Sequence, residues 1–98
     1  MADQKKLERL SEAQAAELMA SVPDWTLESD AISRDLVFKD FRASLAFVEN
    51  VADIAEEQDH HPDIVLSYGR VRLFLSTHKV GGLTEKDFAL ASAIDRLL

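Results

Sequence analysis

A helical pattern of apolar residues runs from Phe41 to Ala55 and meets Pro62, after which the pattern changes to two strand-like runs. Proline disfavours helical geometry in the residue before it, so the helix must end by His61. The runs Asp63-Ile64-Val65-Leu66-Ser67-Tyr68 and Val71-Arg72-Leu73-Phe74-Leu75-Ser76-Thr77 are rich in β-branched and aromatic residues and flank Gly69-Arg70. A glycine there suits a two-residue type II′ hairpin turn, in which it supplies the positive φ of the first central position. With Gly69-Arg70 as the centre, Tyr68 faces Val71, Leu66 faces Leu73 and Ile64 faces Leu75, an entirely apolar set. Extending that register sets Pro62 opposite Thr77 and His61 opposite His78. The spacing therefore predicts that two imidazoles distant in sequence meet at the open end of the hairpin.

The rest of the chain supplies elements to pack against that hairpin. Ser11-Glu12-Ala13-Gln14 has the form of a capping box and starts a short helix over 11–21, with Ala15, Leu18, Met19 and Val22 on its apolar side and Pro23 as its stop. Between Trp25 and Phe38 the apolar residues are spaced by two, which predicts a first β-hairpin about Glu28-Ser29-Asp30. Arg34 interrupts its second strand, and the expectation is that the stem covers apolar surface while the guanidinium reaches water. Asp40 caps a helix over 41–59 with one apolar line at Phe41, Leu45, Val48, Ala52 and Ala55 and a second at Phe47, Val51 and Ile54. So wide a stripe suits either a helix buried over half its circumference or one that also meets a partner subunit. Thr84-Glu85-Lys86-Asp87 is another capping box, with Leu83 and Phe88 as a staple, and opens a helix from 85 to the end. Its expected buried line is Phe88, Ala91, Ile94 and Leu98, with Leu90 and Leu97 beside it.

Ninety-eight residues, 47% hydrophobic and 30% charged, make a single domain over 1–98 with residues 1–10 loosely ordered. No apolar run approaches the roughly 18 residues of a membrane helix, and the N-terminus has no secretory signal pattern, so a cytoplasmic protein with no membrane partner is expected. The formal net charge of −7 argues against direct binding of nucleic acid. Without cysteine there is no disulfide, thiol nucleophile or thiolate metal site. Chemistry must come from histidine, carboxylates and hydroxyls.

The only histidines are His60, His61 and His78, and the expected fold gathers them where a helix end meets the mouth of a hairpin. Glu56 lies one turn before His60 and is placed to orient its ring. Imidazole titrates near neutral pH, so proton transfer is the natural use of such a cluster. Blander explanations exist for each part. A histidine pair at a helix C-terminus interacts favourably with the helix dipole, and His78 alone would be ordinary surface. Three imidazoles and a carboxylate also suit zinc, but adjacent histidines diverge and the usual paired spacing is missing, so no metal is expected. Ser76, on the face of His78, reads as a hydrogen-bonding group, Asp87 as a helix cap within reach of the site, and Gly81-Gly82 as a turn.

The residues Glu56, His60-His61-Pro62, Tyr68, Val71, Leu75, Thr77-His78, Gly82-Leu83-Thr84, Asp87 and Leu90-Ala91 together form the pattern E-x-x-x-H-H-P…Y-x-x-V-x-x-x-L-x-T-H-x-x-x-G-L-T-x-x-D-x-x-L-A. This pattern resembles that of the pterin-4a-carbinolamine dehydratase family. The resemblance implies an α+β fold in which a four-stranded antiparallel sheet carries helices on one face, in the order α-β-β-α-β-β-α. It also implies loss of water from a 4a-hydroxytetrahydropterin to give the quinonoid dihydropterin, recycling the cofactor of aromatic amino acid hydroxylases without a cofactor of its own. By position it implies that His60, His61 and His78 are active-site histidines, oriented by Glu56. Asp59, Ser76, Thr77, Lys79 and Asp87 fall in pterin-contacting segments. One departure is Ile64, where the family often carries an aromatic residue that would stack on the substrate. The family forms homodimers and homotetramers, and its mammalian members also bind a homeodomain transcription factor, so a non-catalytic pterin-binding or dimerisation module is the alternative reading.

Overall fold

A computed structural model describes residues 7–98. The elements in chain order are α1 (Glu12–Leu18), β1 (Thr26–Leu27), β2 (Ile32–Val37), α2 (Phe41–Gln58), β3 (Asp63–Ser67), β4 (Arg70–Leu75) and α3 (Glu85–Asp95), with 3-10 turns at Met19–Ser21 and His78–Val80. The strands form one antiparallel sheet in the order β1-β2-β4-β3. This is the expected α+β arrangement. Ile32, Val71, Leu73 and Leu75 turn to the helices, where they meet Phe47 and Val51 of α2 and Phe88, Leu90, Ala91 and Ile94 of α3 in one core. Period-2 alternation along the strands puts Asp35, Val37, Val65 and Arg72 on the other, exposed face.

Local chemistry explains the helix starts. Ser11 and Gln14 form a reciprocal capping box, Asp40 accepts from the Ala43 amide, and Thr84 with Asp87 forms a second box. In α2 the buried line is Ser44, Phe47, Val51 and Ala55, while Phe41 and Ala52 are exposed. The second expected line supplies Phe47 and Val51 and the first supplies Ala55, while Val48 and Ile54, one from each line, pack partly buried against the core. At the C-terminus α3 stops at Asp95 rather than continuing, and Leu97 and Leu98 are exposed rather than packed. Arg34 also departs from expectation. Its guanidinium donates to Asp95 Oδ1 at 2.6 Å instead of reaching water, and Trp25 Nε1 donates to the same oxygen at 2.8 Å. Of residues 1–10, expected to be loosely ordered, 1–6 lie outside the described residues. Among the described residues of that segment, the Leu10 amide donates to the Leu83 carbonyl at 2.8 Å.

The β3-β4 hairpin closes two residues away from the expected register. Ser67 pairs with Arg70, Leu66 with Val71, Ile64 with Leu73 and Asp63 with Phe74, so Tyr68-Gly69 is the turn. Gly69 is not in a positive-φ conformation; among the described residues Gly81 is the only glycine that is. Glycine is needed at 69 for a different reason. A Cβ there would stand 2.8 Å from the Phe38 carbonyl oxygen, and the Phe38 amide donates to the Gly69 carbonyl at 2.8 Å. The turn is thus pressed against the end of β2, and a side chain would prise them apart.

Candidate active site

The end of α2 is set by a left-handed residue. Asp59 has φ 52° and ψ 44°, the His60 amide donates to the Ala55 carbonyl at 3.1 Å, and the Asp59 amide donates to the Glu56 carbonyl at 3.3 Å. These two bonds are the Schellman pattern, usually built on glycine. The chain leaves the helix abruptly there and presents the two histidines in different directions. His60 turns inward, its side chain 11% exposed, and its Nε2 lies 2.6 Å from Asp87 Oδ1 at the start of α3. His61 turns outward, 56% exposed, with Nε2 2.6 Å from Glu56 Oε2. The expected Glu56–His60 pairing is therefore not formed: the carboxylate of α2 holds His61, and His60 is held by a carboxylate from another helix.

Asp87 has no exposed surface, yet all its bonding capacity is directed. Oδ1 faces His60, while Oδ2 accepts from the Thr84 amide at 2.9 Å and from the Thr77 hydroxyl at 2.8 Å. A buried carboxylate needs such partners, and here they come from three separate segments of chain. The capping geometry of α3 explains the placement: the box ties Oδ2 to the helix start and leaves Oδ1 pointing across to α2. Thr77 and Asp87, expected among the ligand contacts, are 5% and 0% exposed; Thr77 faces Asp87, and Asp87 faces His60.

The changed hairpin register moves His78 away from the position opposite His61. It opens the 3-10 turn His78–Val80 instead, 80% exposed, with Nε2 4.0 Å from Asp63 Oδ2. A surface depression is lined by His78 together with Asp63, Phe74 and Ser76. Ser76 and His78 thus share one side of the chain and Thr77 takes the other, and Lys79 is exposed beside them. Ile64 packs against the core from β3, so its side chain is part of the helix-facing layer. Among the described residues no group of three histidine or carboxylate side chains is placed to hold a metal ion.

Each of the three imidazoles stands beside a carboxylate, a pairing that general acid–base chemistry can use. One imidazole is nearly buried and held by a carboxylate, and two lie at the surface beside carboxylates of their own. Sequence reasoning located the histidines but missed the partner of His60. The available signal was the capping box itself, whose third position carries a carboxylate with a free oxygen.

The family model described as pterin 4 alpha carbinolamine dehydratase matches residues 8–97. A protein of Chloroflexus aurantiacus, provisionally named as a pterin-4-alpha-carbinolamine dehydratase, is 57% identical over 90 residues, covering 92% of this chain and 97% of its own. A similarly named protein of Thermomicrobium roseum is 49% identical over 89 residues, covering 91% and 96%. Among solved structures, a protein of Brucella melitensis described as a transcriptional coactivator/pterin dehydratase superposes with TM-score 0.87 at 34% identity, over 92% of this chain and 98% of that one. A pterin dehydratase-like RuBisCO assembly factor of the alpha-carboxysome, at 23% identity and TM-score 0.60 over 74% of this chain and 84% of its own, shares the fold. With a family model spanning the sheet, the three helices and every histidine, this chain belongs to the pterin-4-alpha-carbinolamine dehydratase family.

Proposed function

We propose that the protein dehydrates a 4a-hydroxytetrahydropterin to the quinonoid dihydropterin, the hydro-lyase step that returns the pterin cofactor of aromatic amino acid hydroxylases. In this reaction the C4a–O bond breaks, a ring nitrogen loses its proton, a C=N bond forms and water leaves. Hydroxide is a poor leaving group, so the oxygen must be protonated as it departs while a base takes the ring proton; each transfer contributes about 10²- to 10⁴-fold. His60 is the base. Asp87 Oδ1 accepts from its Nε2–H, which leaves the lone pair of the neutral ring on Nδ1. His78, exposed beside Asp63, is the acid, and His61, steadied by Glu56, binds the pterin. Asp59, Ser76 and Lys79 border the ligand. The scheme needs no metal or organic cofactor.

The observation that carries this reading is the His60–Asp87 pair, a nearly buried imidazole held at 2.6 Å by a fully buried carboxylate. An exposed histidine pair at a helix end would need no such support. The test is acceleration of the decay of chemically prepared carbinolamine pterin by the purified protein, with and without chelator. Turnover that survives chelation and falls in His60→Ala and His78→Ala supports the proposal. Absence of turnover, or full turnover in His78→Ala, overturns it.

The alternative of a non-catalytic pterin-binding or dimerisation module has one point in its favour, the double description of the Brucella melitensis protein. Binding of a dihydropterin without turnover would select it. Assembly into a homodimer or homotetramer belongs to the same proposal and is supported by exposed Val37, Phe41, Val65 and Tyr68; a cytoplasmic location is proposed with it. Sedimentation of the purified protein as a monomer would remove that part.

A further inference from the structure

Behind His60 lies a chain of hydroxyls that the proposed chemistry does not use directly. Thr77 Oγ1 donates to Asp87 Oδ2 at 2.8 Å. A threonine hydroxyl has one proton, so with that proton committed Thr77 can only accept from Thr84, whose Oγ1 is 2.8 Å away. Thr84 Oγ1 in turn accepts from the Lys86 amide at 3.2 Å. The direction of every bond is thereby fixed, from the first turn of α3 through both threonines to the carboxylate. Thr77 and Thr84 are buried, and no buried side-chain polar atom among the described residues lacks a partner.

We propose that Thr77 is a positioning residue for His60, acting through Asp87, and not a contact to the ligand. Its hydroxyl occupies Oδ2 together with the Thr84 amide, so Oδ1 is the oxygen left for the imidazole. The carboxylate cannot rotate without giving up two donors. One tautomer of His60 follows, with the proton on Nε2 and the lone pair on Nδ1. The Thr77 backbone supports the same placement, since its amide donates to the Gly82 carbonyl at 2.8 Å and holds the segment before His78 against the loop before α3. Without the hydroxyl, Oδ2 keeps a single donor, the carboxylate turns, and His60 samples both tautomers.

This inference rests on the reading of His60 as the base, and the test separates the two. Thr77→Val keeps shape and removes the hydroxyl; Thr77→Ser keeps the hydroxyl. Imidazole ¹⁵N spectra of the whole protein report the His60 tautomer without any substrate. The expected result is a single Nε2–H form in the parent and in Thr77→Ser, and a mixture in Thr77→Val with His61 unchanged. In turnover, Thr77→Val should lower kcat about tenfold to a hundredfold with KM for the carbinolamine within about twofold, the signature of a misplaced catalytic group. Thr77→Ser should restore it. If Thr77→Val does not fold, Thr77→Ala is read in the same spectra. A His60 tautomer unmoved by loss of the hydroxyl overturns the inference, as does a loss confined to KM, which would make Thr77 a ligand contact. A parent protein without turnover overturns the proposed function alone, and the spectra then decide the role of Thr77.

Discussion

His60 Nε2 and Asp87 Oδ1 are 2.6 Å apart although the residues are separated by 27 positions and belong to the ends of different helices. The carboxylate has no access to water, so it works on the imidazole and on nothing outside. Asp87→Asn would keep the volume and offer an amide that cannot accept from Nε2–H, Thr77 and Thr84 at once. Turnover should fall about 10²- to 10⁴-fold, as expected when a base loses the group that fixes its tautomer. Steady-state decay of the carbinolamine measures it, with circular dichroism confirming the fold. Turnover within twofold of the parent would show that His60 needs no partner.

The features legible in the sequence are those decided within a few residues. The boxes at Ser11–Gln14 and Thr84–Asp87 and the cap at Asp40 form as their spacing requires. The hairpin register was not legible, because sliding one strand by two residues returns the same side chains to the same face and leaves the apolar alternation satisfied. The Gly69–Phe38 approach, which involves a third segment, decides it. The partner of His60 was hidden for a related reason. Helical spacing holds only up to Gln58, and the left-handed Asp59 resets the direction, so the side chain of His61 rather than that of His60 meets Glu56. In α2 both apolar lines are visible in the sequence, and packing against the sheet and α3 takes residues from each.

The reason for glycine at 69 has a measurable consequence. Gly69→Ala places a methyl 2.8 Å from a backbone oxygen that cannot move without disturbing β2. A loss of about 1–3 kcal/mol is expected from such overpacking, read as a lower urea midpoint with unchanged slope. A stability equal to the parent's would mean that the turn relaxes away from Phe38.

Asp95 joins Trp25 and Arg34 through one oxygen, Oδ1, at 2.8 and 2.6 Å. Asp95→Ala leaves an indole N–H and a largely buried guanidinium without that acceptor. The expected cost is about 2–3 kcal/mol, the range for losing a charged acceptor from buried donors. Trp25 is the only tryptophan, so its fluorescence should shift to longer wavelength as water enters, and an unshifted spectrum with parental stability would show that the pair is already solvated.

On the open face of the sheet, the Arg72 guanidinium hydrogen-bonds Asp35 across β2 and β4 and holds its carboxyl below the usual carboxylate range. A carboxyl lowered in the folded state favours folding above its unfolded pKa and loses that contribution as pH falls through the folded value. The affected window therefore opens near pH 4 and extends downward, about where an unfolded aspartate titrates. Asp35→Asn should flatten the acid limb of the stability curve in that window and leave neutral pH little changed, since the pair is half-exposed and screened. An acid limb identical to the parent's would show that the pair does not persist in solution.

Asp59 combines a backbone task with a candidate ligand contact, and substitutions can separate them. Its φ of 52° lies in the left-handed region, where a residue with a Cβ is held at a cost of about 1 kcal/mol relative to glycine. Asp59→Gly should therefore match or exceed the parent in stability. Asp59→Ala, which has neither the freedom of glycine nor the short polar side chain that tolerates this region, should lose about 1 kcal/mol. Both variants lack the carboxylate. If the carboxylate meets the pterin, both should raise KM alike, whatever their melting temperatures. If only the backbone turn matters, Asp59→Gly should keep full activity and Asp59→Ala should lose activity in step with stability, because the Schellman bonds at Ala55 and Glu56 aim His60 at Asp87. Thermal unfolding and steady-state kinetics on the two proteins distinguish these outcomes.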